Sequence, residues 1–480
     1  MVVATANGGG YRYGTSDQAF YIPVVVRALD ASAFPRDGAL IDAQGRLMLV
    51  DELLAAIIRT TGLSIEIVFF AGYVLSLALV WTALVLIGRA TYTNRWLTIA
   101  LAAAFTLRHR IPRTSANSFE PYFHPRMVAF GLGALAVASL LRGGRWTAVA
   151  LVAVSALVHI TTALWFAVLL GVALAVLDVR MRRFAGAAAL AAAGILATAV
   201  VVGPLRASMT KMDAVWLDAV AGKDSLFATQ WPPWAWLMNL GMLAILWWAH
   251  RQRQAAAVAR AEDAALVWGS TALVALFLLT LPLVAARLAF PVQLQIPRVF
   301  WLVDFLALVY LLGTIRRARV ARAVAALLVA FCVGRAVFVL AIEHPERPLF
   351  GIYLPDTPWE QAMNWLARQP IDTHVLADPG HAWKYGTSVR VSAQRDVLLE
   401  DVKDSALAIY SRDVAVRYVE RMNAISDFST LSAERARELA GRYDVDYIVT
   451  ESELPLSLAY RNEHFRIYSL RQSSTRGTGH

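Results

Sequence analysis

The sequence has little cysteine and little charge for its length. Among its 480 residues the single cysteine is Cys332, which excludes a disulfide-stapled scaffold and a metal site built from several cysteines. Charged residues make up 17% of the chain, whereas they average about 25% in soluble domains. Hydrophobic residues make up 58%, against an average of about 45–50%. This balance excludes an intrinsically disordered chain and indicates a protein that contacts lipid.

Several motifs that would identify an activity are also missing. The sequence contains no G-x-x-x-x-G-K-[ST] loop, no G-x-G-x-x-G after a strand and no H-E-x-x-H pair. An ATP-driven pump and a zinc protease are therefore disfavoured. No internal repeat of the kind that marks many secondary transporters is recognisable.

What the sequence does contain is a series of apolar runs between residues 65 and 342. A helix needs about 20 residues to cross a bilayer core. We count ten apolar runs as spans, of which the second, third and fourth are shorter than this length. The predicted spans are 65–88, 97–108, 127–141, 147–158, 161–177, 185–203, 234–249, 265–285, 298–315 and 323–342. The predicted fold class is therefore a polytopic α-helical membrane protein of about ten spans.

The formal net charge of +10 comes mostly from arginine, because the only lysines are Lys211, Lys223, Lys384 and Lys403. In a soluble protein such a surplus would suggest nucleic acid as the partner. Here the arginines concentrate in alternate loops between spans, at 89–95, 142–145, 180–183, 251–260 and 316–322. Cytoplasmic loops of membrane proteins carry this excess. We therefore place these loops in the cytoplasm and both termini outside, and expect membrane lipids, not nucleic acid, as partners.

The N-terminal segment, 1–62, has no apolar run long enough for a span and no recognisable signal sequence. A segment that reaches the outer face without a preceding helix is unusual. Two explanations remain open: translocation without such a helix, or an anchoring helix encoded upstream of Met1. We expect the second.

The composition changes at Glu343, where hydropathy falls and charged residues become frequent. Thr-Pro-Trp-Glu at 357–360 is a capping box with proline at the first helical position, and predicts a helix to about residue 368. The rest of the tail predicts helices at 404–423 and 433–442, strands at 373–377, 389–392, 445–450 and 465–470, and a disordered end over the last ten residues.

These patterns predict three parts: an extracytoplasmic acidic segment at 1–62, a transmembrane domain at 63–342 and a C-terminal α/β domain at 343–480. The last part follows an outward span, which places it on the extracytoplasmic side.

Two charged side chains lie inside predicted spans, where a lone charge is costly. Asp304 lies about six residues inside the outer end of the ninth span, and Arg335 about seven inside that of the tenth. Antiparallel neighbours would hold both about 9–10 Å below the surface, at 1.5 Å per residue. We predict a structural Asp304–Arg335 ion pair.

Two carboxylates, Asp17 and Asp37, flank an amphipathic stretch of the first outer segment. A carboxylate there could deprotonate an acceptor hydroxyl or hold a divalent cation against a phosphate. The alternative is an ordinary solvated loop whose acids cap helices.

The second outer loop reads Asn-Ser-Phe-Glu-Pro-Tyr-Phe-His-Pro-Arg over 117–126, directly before a span. Glu120, His124 and Arg126 among aromatic side chains suit recognition of a phosphate or a sugar. An aromatic belt with interfacial charges is the alternative. His159 is a further polar break near the outer surface, for which a structural role also remains open.

Three more candidate ligand contacts lie elsewhere in the chain. Arg298 is expected at the outer headgroup level, where a guanidinium can bind a lipid phosphate through two hydrogen bonds or merely snorkel to the surface. In the tail, His381 and Lys384 follow a predicted strand end, a place where loops often carry function.

The acidic first outer segment, the many spans and the C-terminal α/β domain together resemble the GT-C superfamily of integral-membrane glycosyltransferases. The resemblance is carried by SDQAFYIPVVVRALDASAFPRD at 16–37, EPYFHPR at 120–126 and HITTALW at 159–165, and is most similar to poorly characterised bacterial members. Family members normally have a first helix before the acidic loop, which this sequence lacks.

The resemblance implies transfer of a sugar from a polyprenyl-phosphate carrier to a lipid, glycan or protein acceptor, at the outer face of the bacterial cytoplasmic membrane. It implies that Asp17, with Asp37 second, is the catalytic base or metal contact. It also implies that His124, Arg126 and Arg298 contact the carrier phosphate, and leaves open a divalent cation, Mg²⁺ or Mn²⁺, as cofactor. The alternative is a transporter or assembly factor for lipid-linked glycans that has no catalytic activity.

Overall fold

Helices dominate the computed structural model, which describes residues 1–45, 49–203 and 205–471. The α-helices are α1 (Val2–Asn7), α2 (Gln18–Leu29), α3 (Gly38–Gly45), α4 (Val50–Thr61), α5 (Ile65–Thr91), α6 (Arg95–Ala104), α7 (Pro125–Leu141), α8 (Arg145–Val158), α9 (Ile160–Leu177), α10 (Val179–Val201), α11 (Ala214–Ala219), α12 (Pro233–Ala255), α13 (Ala261–Ala285), α14 (Ala289–Gln293), α15 (Val299–Leu312), α16 (Ala318–Phe338), α17 (Pro358–Ala367), α18 (His381–Lys384), α19 (Val389–Ser392), α20 (Asp401–Leu407), α21 (Arg412–Ile425) and α22 (Ala433–Tyr443). The strands are β1 (Tyr11–Arg12), β2 (Arg110–Ile111), β3 (Ala116–Asn117), β4 (Phe350–Gly351), β5 (His374–Leu376), β6 (Asp396–Val397), β7 (Tyr447–Thr450), β8 (Ser457–Arg461) and β9 (Arg466–Ser469).

The described residues divide into two compact units. Unit 1 comprises 1–11, 69–212 and 222–351, and unit 2 comprises 12–68, 213–221 and the described part of 352–480. Most of the N-terminal acidic segment, from residue 12 onward, therefore belongs to one unit with the C-terminal residues, although the long apolar helices separate them in the sequence.

Unit 1 contains most of the apolar helices. In the described chain six helical stretches are long and apolar enough to cross a bilayer, at Ile65–Thr91, Ile160–Leu177, Val179–Val201, Ala261–Ala285, Ala289–Leu312 and Ala318–Glu343. Shorter apolar helices include α6, α7 and α8. A helix-rich chain with six candidate membrane-spanning helices is thus confirmed.

Aromatic side chains fill the centre of unit 1. The rings of Phe130 on α7 and Trp301 on α15 stack with centroids 4.2 Å apart, and Phe305 meets Phe130 edge to face at 5.3 Å. Phe166 on α9 approaches the same ring at 5.6 Å. This packing joins α7, α9 and α15, and their first residues carry the candidate site.

Unit 2 is built on a five-stranded mixed sheet with the order β6-β5-β7-β9-β8. Strand β5 is parallel to both β6 and β7, whereas β9 is antiparallel to β7 and β8. The strands predicted at 373–377, 445–450 and 465–470 correspond to β5, β7 and β9, and the helices predicted at 357–368 and 433–442 correspond to α17 and α22. The disordered end predicted for the last ten residues lies outside the described residues, apart from Arg471.

One strand prediction in the tail is wrong. Residues 389–392 form a helical turn, because the Ser388 hydroxyl caps it by accepting a hydrogen bond from the backbone N–H of Val391. The helix predicted at 404–423 is interrupted between α20 and α21. Strands β6 and β8 were not predicted; β6 is only two residues long, and β8 is an exposed edge strand without an apolar alternation.

The predicted Asp304–Arg335 ion pair is also wrong. Asp304 Oδ2 lies 2.9 Å from His109 Nε2, and Arg335 Nη1 lies 3.9 Å from Glu343 Oε2. Rise per residue gives the depth of a side chain but not the face of the helix from which it projects. The two residues were predicted at equal depth and in fact have different partners.

Candidate functional site

Three of the predicted ligand-binding residues in unit 1 each come directly before an apolar helix. His124 precedes α7, His159 precedes α9, and Arg298 precedes α15. The N-terminus of a helix carries about half a positive charge and unsatisfied N–H groups. Each of these side chains therefore adds to a helix end that already favours an anion.

The two histidines cap their helices in the same way. His124 Nδ1 accepts the backbone N–H of Arg126 at 3.2 Å, and His159 Nδ1 accepts the N–H of Thr162 at 3.3 Å. A neutral imidazole that accepts at Nδ1 carries its hydrogen on Nε2. The ring centroids are 6.3 Å apart, so two imidazoles with donor Nε2–H groups lie side by side.

Arg126 is held beside these rings by a buried carboxylate. Its Nη2 donates to Glu120 Oε1, while Arg108 donates to the other carboxylate oxygen at 3.0 Å. Asn117 also donates to both oxygens of Glu120, at 3.0 and 3.2 Å. Glu120 is only 1% exposed. Glu120 thus orients the guanidinium of Arg126 and is itself surrounded by donors.

The positive charge of this group acts on His159, which lies in the break between α8 and α9. Burial is the main cause that holds the pKa of His159 well below its usual value, and the nearby His124 ring and the positive charges of Arg298 and Arg126 add to it. These four residues, all predicted ligand contacts, are therefore near enough for the other three to act on His159 electrostatically. We call His124, Arg126, His159 and Arg298, with the supporting Glu120, the cationic site.

The loop that carries Glu120 is tied to α15 through His109. The backbone N–H of His109 donates to the Ser118 hydroxyl, and the backbone N–H of Ser118 donates to the His109 carbonyl oxygen. The His109 ring contacts Asp304 on α15. The hydrogen bond to Asp304 raises the pKa of His109 above 6.5. Because the pKa is higher in the folded chain, the pair stabilises the loop fully below about pH 6.5 and less as the pH rises through the folded-state pKa.

We expect hydrogen exchange of residues 107–120, corrected for the intrinsic rate, to increase about threefold to tenfold between pH 6 and pH 9. The effect is modest because His109 is 43% exposed. Asp304→Asn should remove most of this pH dependence, and Arg335→Gln should not. Equal effects of the two variants would contradict the His109–Asp304 pair as the cause of the pH dependence.

The two candidate bases in unit 2 occupy different environments. Asp17 precedes α2, is 29% exposed and lies 3.2 Å from Lys403 Nζ. The same ammonium lies 4.6 Å from the centre of the Phe20 ring. Asp17 therefore has a cationic neighbour and an accessible carboxylate.

Asp37 is enclosed by arginines. Its Oδ2 accepts from Arg390 Nε at 2.8 Å and from the backbone N–H of Val397 at 3.1 Å, and its Oδ1 accepts from Arg417. Burial alone would raise the pKa of Asp37, but Arg390 and Arg417 outweigh it and lower the pKa below its usual value. With no exposed surface, this carboxylate is a poor proton acceptor.

More acids surround the Arg390 guanidinium. Asp404 Oδ1 lies 2.6 Å and Glu400 Oε2 3.6 Å from its Nη1. Burial raises the pKa of Glu400 to about 7, and burial together with Asp37 raises that of Asp396 to about 6. The Asp396 side chain accepts the backbone N–H groups of residues 36 and 37, so this acidic cluster fixes the acidic segment within unit 2.

The two predicted ligand contacts in the tail have partners within their own loop. His381 is buried, with Nδ1 2.7 Å from the carbonyl oxygen of Asp378, and Nε2 accepting the N–H of Val389 at 3.2 Å. Burial lowers the pKa of His381 to about 4. Lys384 donates to the Asp378 carboxylate. These contacts favour a role in shaping the loop, and their predicted role in ligand binding stays a prediction.

Sequence reasoning missed Arg108, Asn117 and His109 as parts of the site. Each contacts a residue that sequence reasoning did single out, Glu120 or Asp304. Within the described residues no group of three or more histidine, cysteine or acidic side chains is arranged to hold a metal. The divalent cation therefore stays a prediction.

The chemistry of the cationic site is that of an anion receptor. Two guanidiniums and two imidazoles offer charge-assisted hydrogen bonds, and three helix N-termini add to the field. A phosphate monoester or diester is the anion that best uses several such donors. Comparison with known proteins gives no identity: no family model matches the chain, and no curated protein matches it.

Proposed function

We propose that the protein is an integral-membrane glycosyltransferase of the GT-C type, which transfers a sugar from a polyprenyl-phosphate carrier to an acceptor. The observation that carries the proposal is the cationic site, where His124, Arg126, His159 and Arg298 stand at helix N-termini of an apolar helical unit. A lipid phosphate needs both an apolar surrounding and concentrated positive charge. This site supplies both.

The proposed topology follows the arginine-rich loops. About ten spans would cross the bacterial cytoplasmic membrane, with these loops in the cytoplasm and the C-terminal α/β domain outside. In addition to the six long helices, α6, α7, α8 and α12 cover the runs expected to complete the ten.

In the proposed reaction the acceptor hydroxyl attacks the anomeric carbon and inverts its configuration. As the family resemblance implies, Asp17 takes the hydroxyl proton as the new glycosidic oxygen–carbon bond forms. The bond from the anomeric carbon to the phosphate oxygen breaks, and Arg126 and Arg298 stabilise the charge on the departing lipid phosphate. Asp17 is favoured over Asp37 as the base because it is partly exposed, whereas Asp37 is fully buried between two arginines.

The phosphate role is testable with farnesyl phosphate as a short polyprenyl phosphate. We expect purified protein in phosphatidylcholine nanodiscs to bind it, and Arg298→Gln to weaken binding about 10- to 100-fold, since a hydrogen bond to a charged group contributes about 1.5–3 kcal/mol. The matched control is Arg142→Gln, an exposed arginine at the opposite end of α7 from Arg126. Isothermal titration calorimetry measures the affinity.

Farnesol, which has the same chain without the phosphate, serves as the ligand control. Equal affinity for farnesol and farnesyl phosphate would contradict a phosphate site. An equal loss of affinity in Arg298→Gln and Arg142→Gln would contradict its placement at Arg298.

A further inference from the structure

A second group of arginines in unit 1 lies where α5 ends and α6 and α16 begin. Helices α6 and α16 pack against each other, and their first turns contain no acidic residue. The exposed arginines in this region are Arg89, Arg95, Arg316, Arg317, Arg319 and Arg322. Cations at the start of a helix are opposed by its dipole, so this arrangement has an electrostatic cost that an anion would offset.

Trp96 organises two of these arginines. The guanidinium carbon of Arg95 lies 5.8 Å, and that of Arg322 5.6 Å, from the centre of the Trp96 ring. Arg95 comes from the start of α6 and Arg322 from the first turns of α16. One indole thus holds two like charges from different helices near each other, an arrangement that cation–π attraction partly compensates.

Neighbouring basic side chains in unit 1 are paired differently. Arg253 is buried and lies 3.0 Å from Asp263 Oδ2, while Arg260 lies 3.8 Å from the other oxygen of that carboxylate. Among the described residues no acid lies within ion-pair distance of Arg95 or Arg322, and both guanidiniums contact Trp96. The chain therefore neutralises one arginine pair itself and leaves the other positive and exposed.

Apolar surface continues from this basic group along both helices. Ile99 on α6 is 41% exposed, and Val320 and Leu327 on α16 are 44% and 71% exposed. Helix α16 belongs to a stretch long and apolar enough to span a bilayer, so its first turn is expected at the headgroup layer. Tryptophan and arginine are both favoured at that depth.

We propose that Arg95, Trp96 and Arg322 form a binding site for an anionic phospholipid. The phosphodiester lies between the two guanidiniums, which donate hydrogen bonds to its oxygens, and the acyl chains follow the exposed apolar side chains of α6 and α16. The site is separate from the cationic site and does not depend on glycosyl transfer. Its ligand is a lipid headgroup and not free phosphate, because the basic group continues into apolar surface.

The test compares phosphatidylglycerol with phosphatidylcholine, using native mass spectrometry of the full-length protein in detergent. Each arginine near an anionic headgroup contributes about 1 kcal/mol, so Arg95→Gln/Arg322→Gln should weaken phosphatidylglycerol binding about 30-fold. The control is Arg180→Gln/Arg183→Gln, two exposed arginines at the start of α10, which should retain wild-type affinity. Inorganic phosphate at the same concentration should not compete.

Three results would overturn the proposal. They are equal affinity for the two lipids, equal losses in both double variants, and full competition by inorganic phosphate, which would assign the site to a soluble anion. Thermal unfolding of each variant without added lipid shows whether a loss of binding is due to misfolding. Arg95→Lys/Arg322→Lys, which keeps the charge but loses the planar donor pair, should show an intermediate affinity.

Discussion

Asp37→Asn is expected to destabilise the acidic segment of unit 2 by about 3–5 kcal/mol, the usual result of breaking a buried ion pair from one side. The substitution removes the charge between Arg390 and Arg417 and keeps the size of the side chain. Arg390 retains Asp404 at 2.6 Å, but Arg417 loses the carboxylate to which it donates. The opening equilibrium of residues 36–41 and 389–417 should therefore increase at least a hundredfold, measured by hydrogen exchange of the full-length protein.

Asp42→Asn provides the matched control. Asp42 lies five residues further along, pairs with Arg27 at 2.8 Å and is 44% exposed. An exposed pair contributes about 0–1 kcal/mol, so exchange should change less than about fivefold. If the two variants behave alike, the arginine cage around Asp37 does not stabilise the fold. If Asp37→Asn folds normally and yet loses sugar transfer, Asp37 becomes the base in place of Asp17.

The contrast between Asp17 and Asp37 shows where sequence reasoning ends. Both are acids in the same short segment, and nothing in their local pattern separates them. The partners that distinguish them, Lys403 for Asp17 and Arg390 and Arg417 for Asp37, come from more than 350 residues later in the chain. Charge alone predicts that such acids matter, but only long-range packing determines which one is buried.

More of the cationic site than of the candidate bases could be predicted from the sequence. His124 and Arg298 are polar residues directly before apolar runs, and His159 interrupts one, so each marks a helix start that the sequence shows. Their convergence could not be derived, because it requires the order in which α7, α9 and α15 pack. The failure at Asp304 has the same cause, since its partner His109 belongs to an irregular loop with no periodic pattern.

The tail illustrates the limits of local pattern. Val389 and Val391 alternate with polar residues as in a strand, yet Ser388 caps a helical turn there. Arg390 on this turn is then buried among Asp37, Glu400 and Asp404. The capping box that begins at Thr357 predicted α17 correctly. A short apolar run that follows a single hydroxyl residue is easily mistaken for a strand, although the hydroxyl can cap a helical turn.

Asp17→Asn is expected to reduce sugar transfer about 10²- to 10⁴-fold, the contribution usual for a general base. The assay measures release of polyprenyl phosphate from a panel of synthetic polyprenyl-phosphate monosaccharides, using purified protein in nanodiscs. Affinity for farnesyl phosphate should remain at the wild-type level, because the phosphate is assigned to Arg126 and Arg298. A lower transfer rate with unchanged donor affinity would separate proton abstraction from donor binding.

A structural role for Asp17 predicts a different result, because Asp17 forms an ion pair with Lys403. Lys403→Gln breaks the same pair and leaves the carboxylate in place. If the pair only stabilises α2, both variants should lose stability and transfer equally; if Asp17 is the base, Lys403→Gln should retain most of the rate. Asp30→Asn, at the other end of α2 and exposed, should match the wild type.

Equal transfer rates in wild type and Asp17→Asn would show that Asp17 is not the base. If the wild type binds the phosphate but transfers no sugar, the protein is better explained as a carrier of lipid-linked glycans, since binding a lipid phosphate needs no proton acceptor.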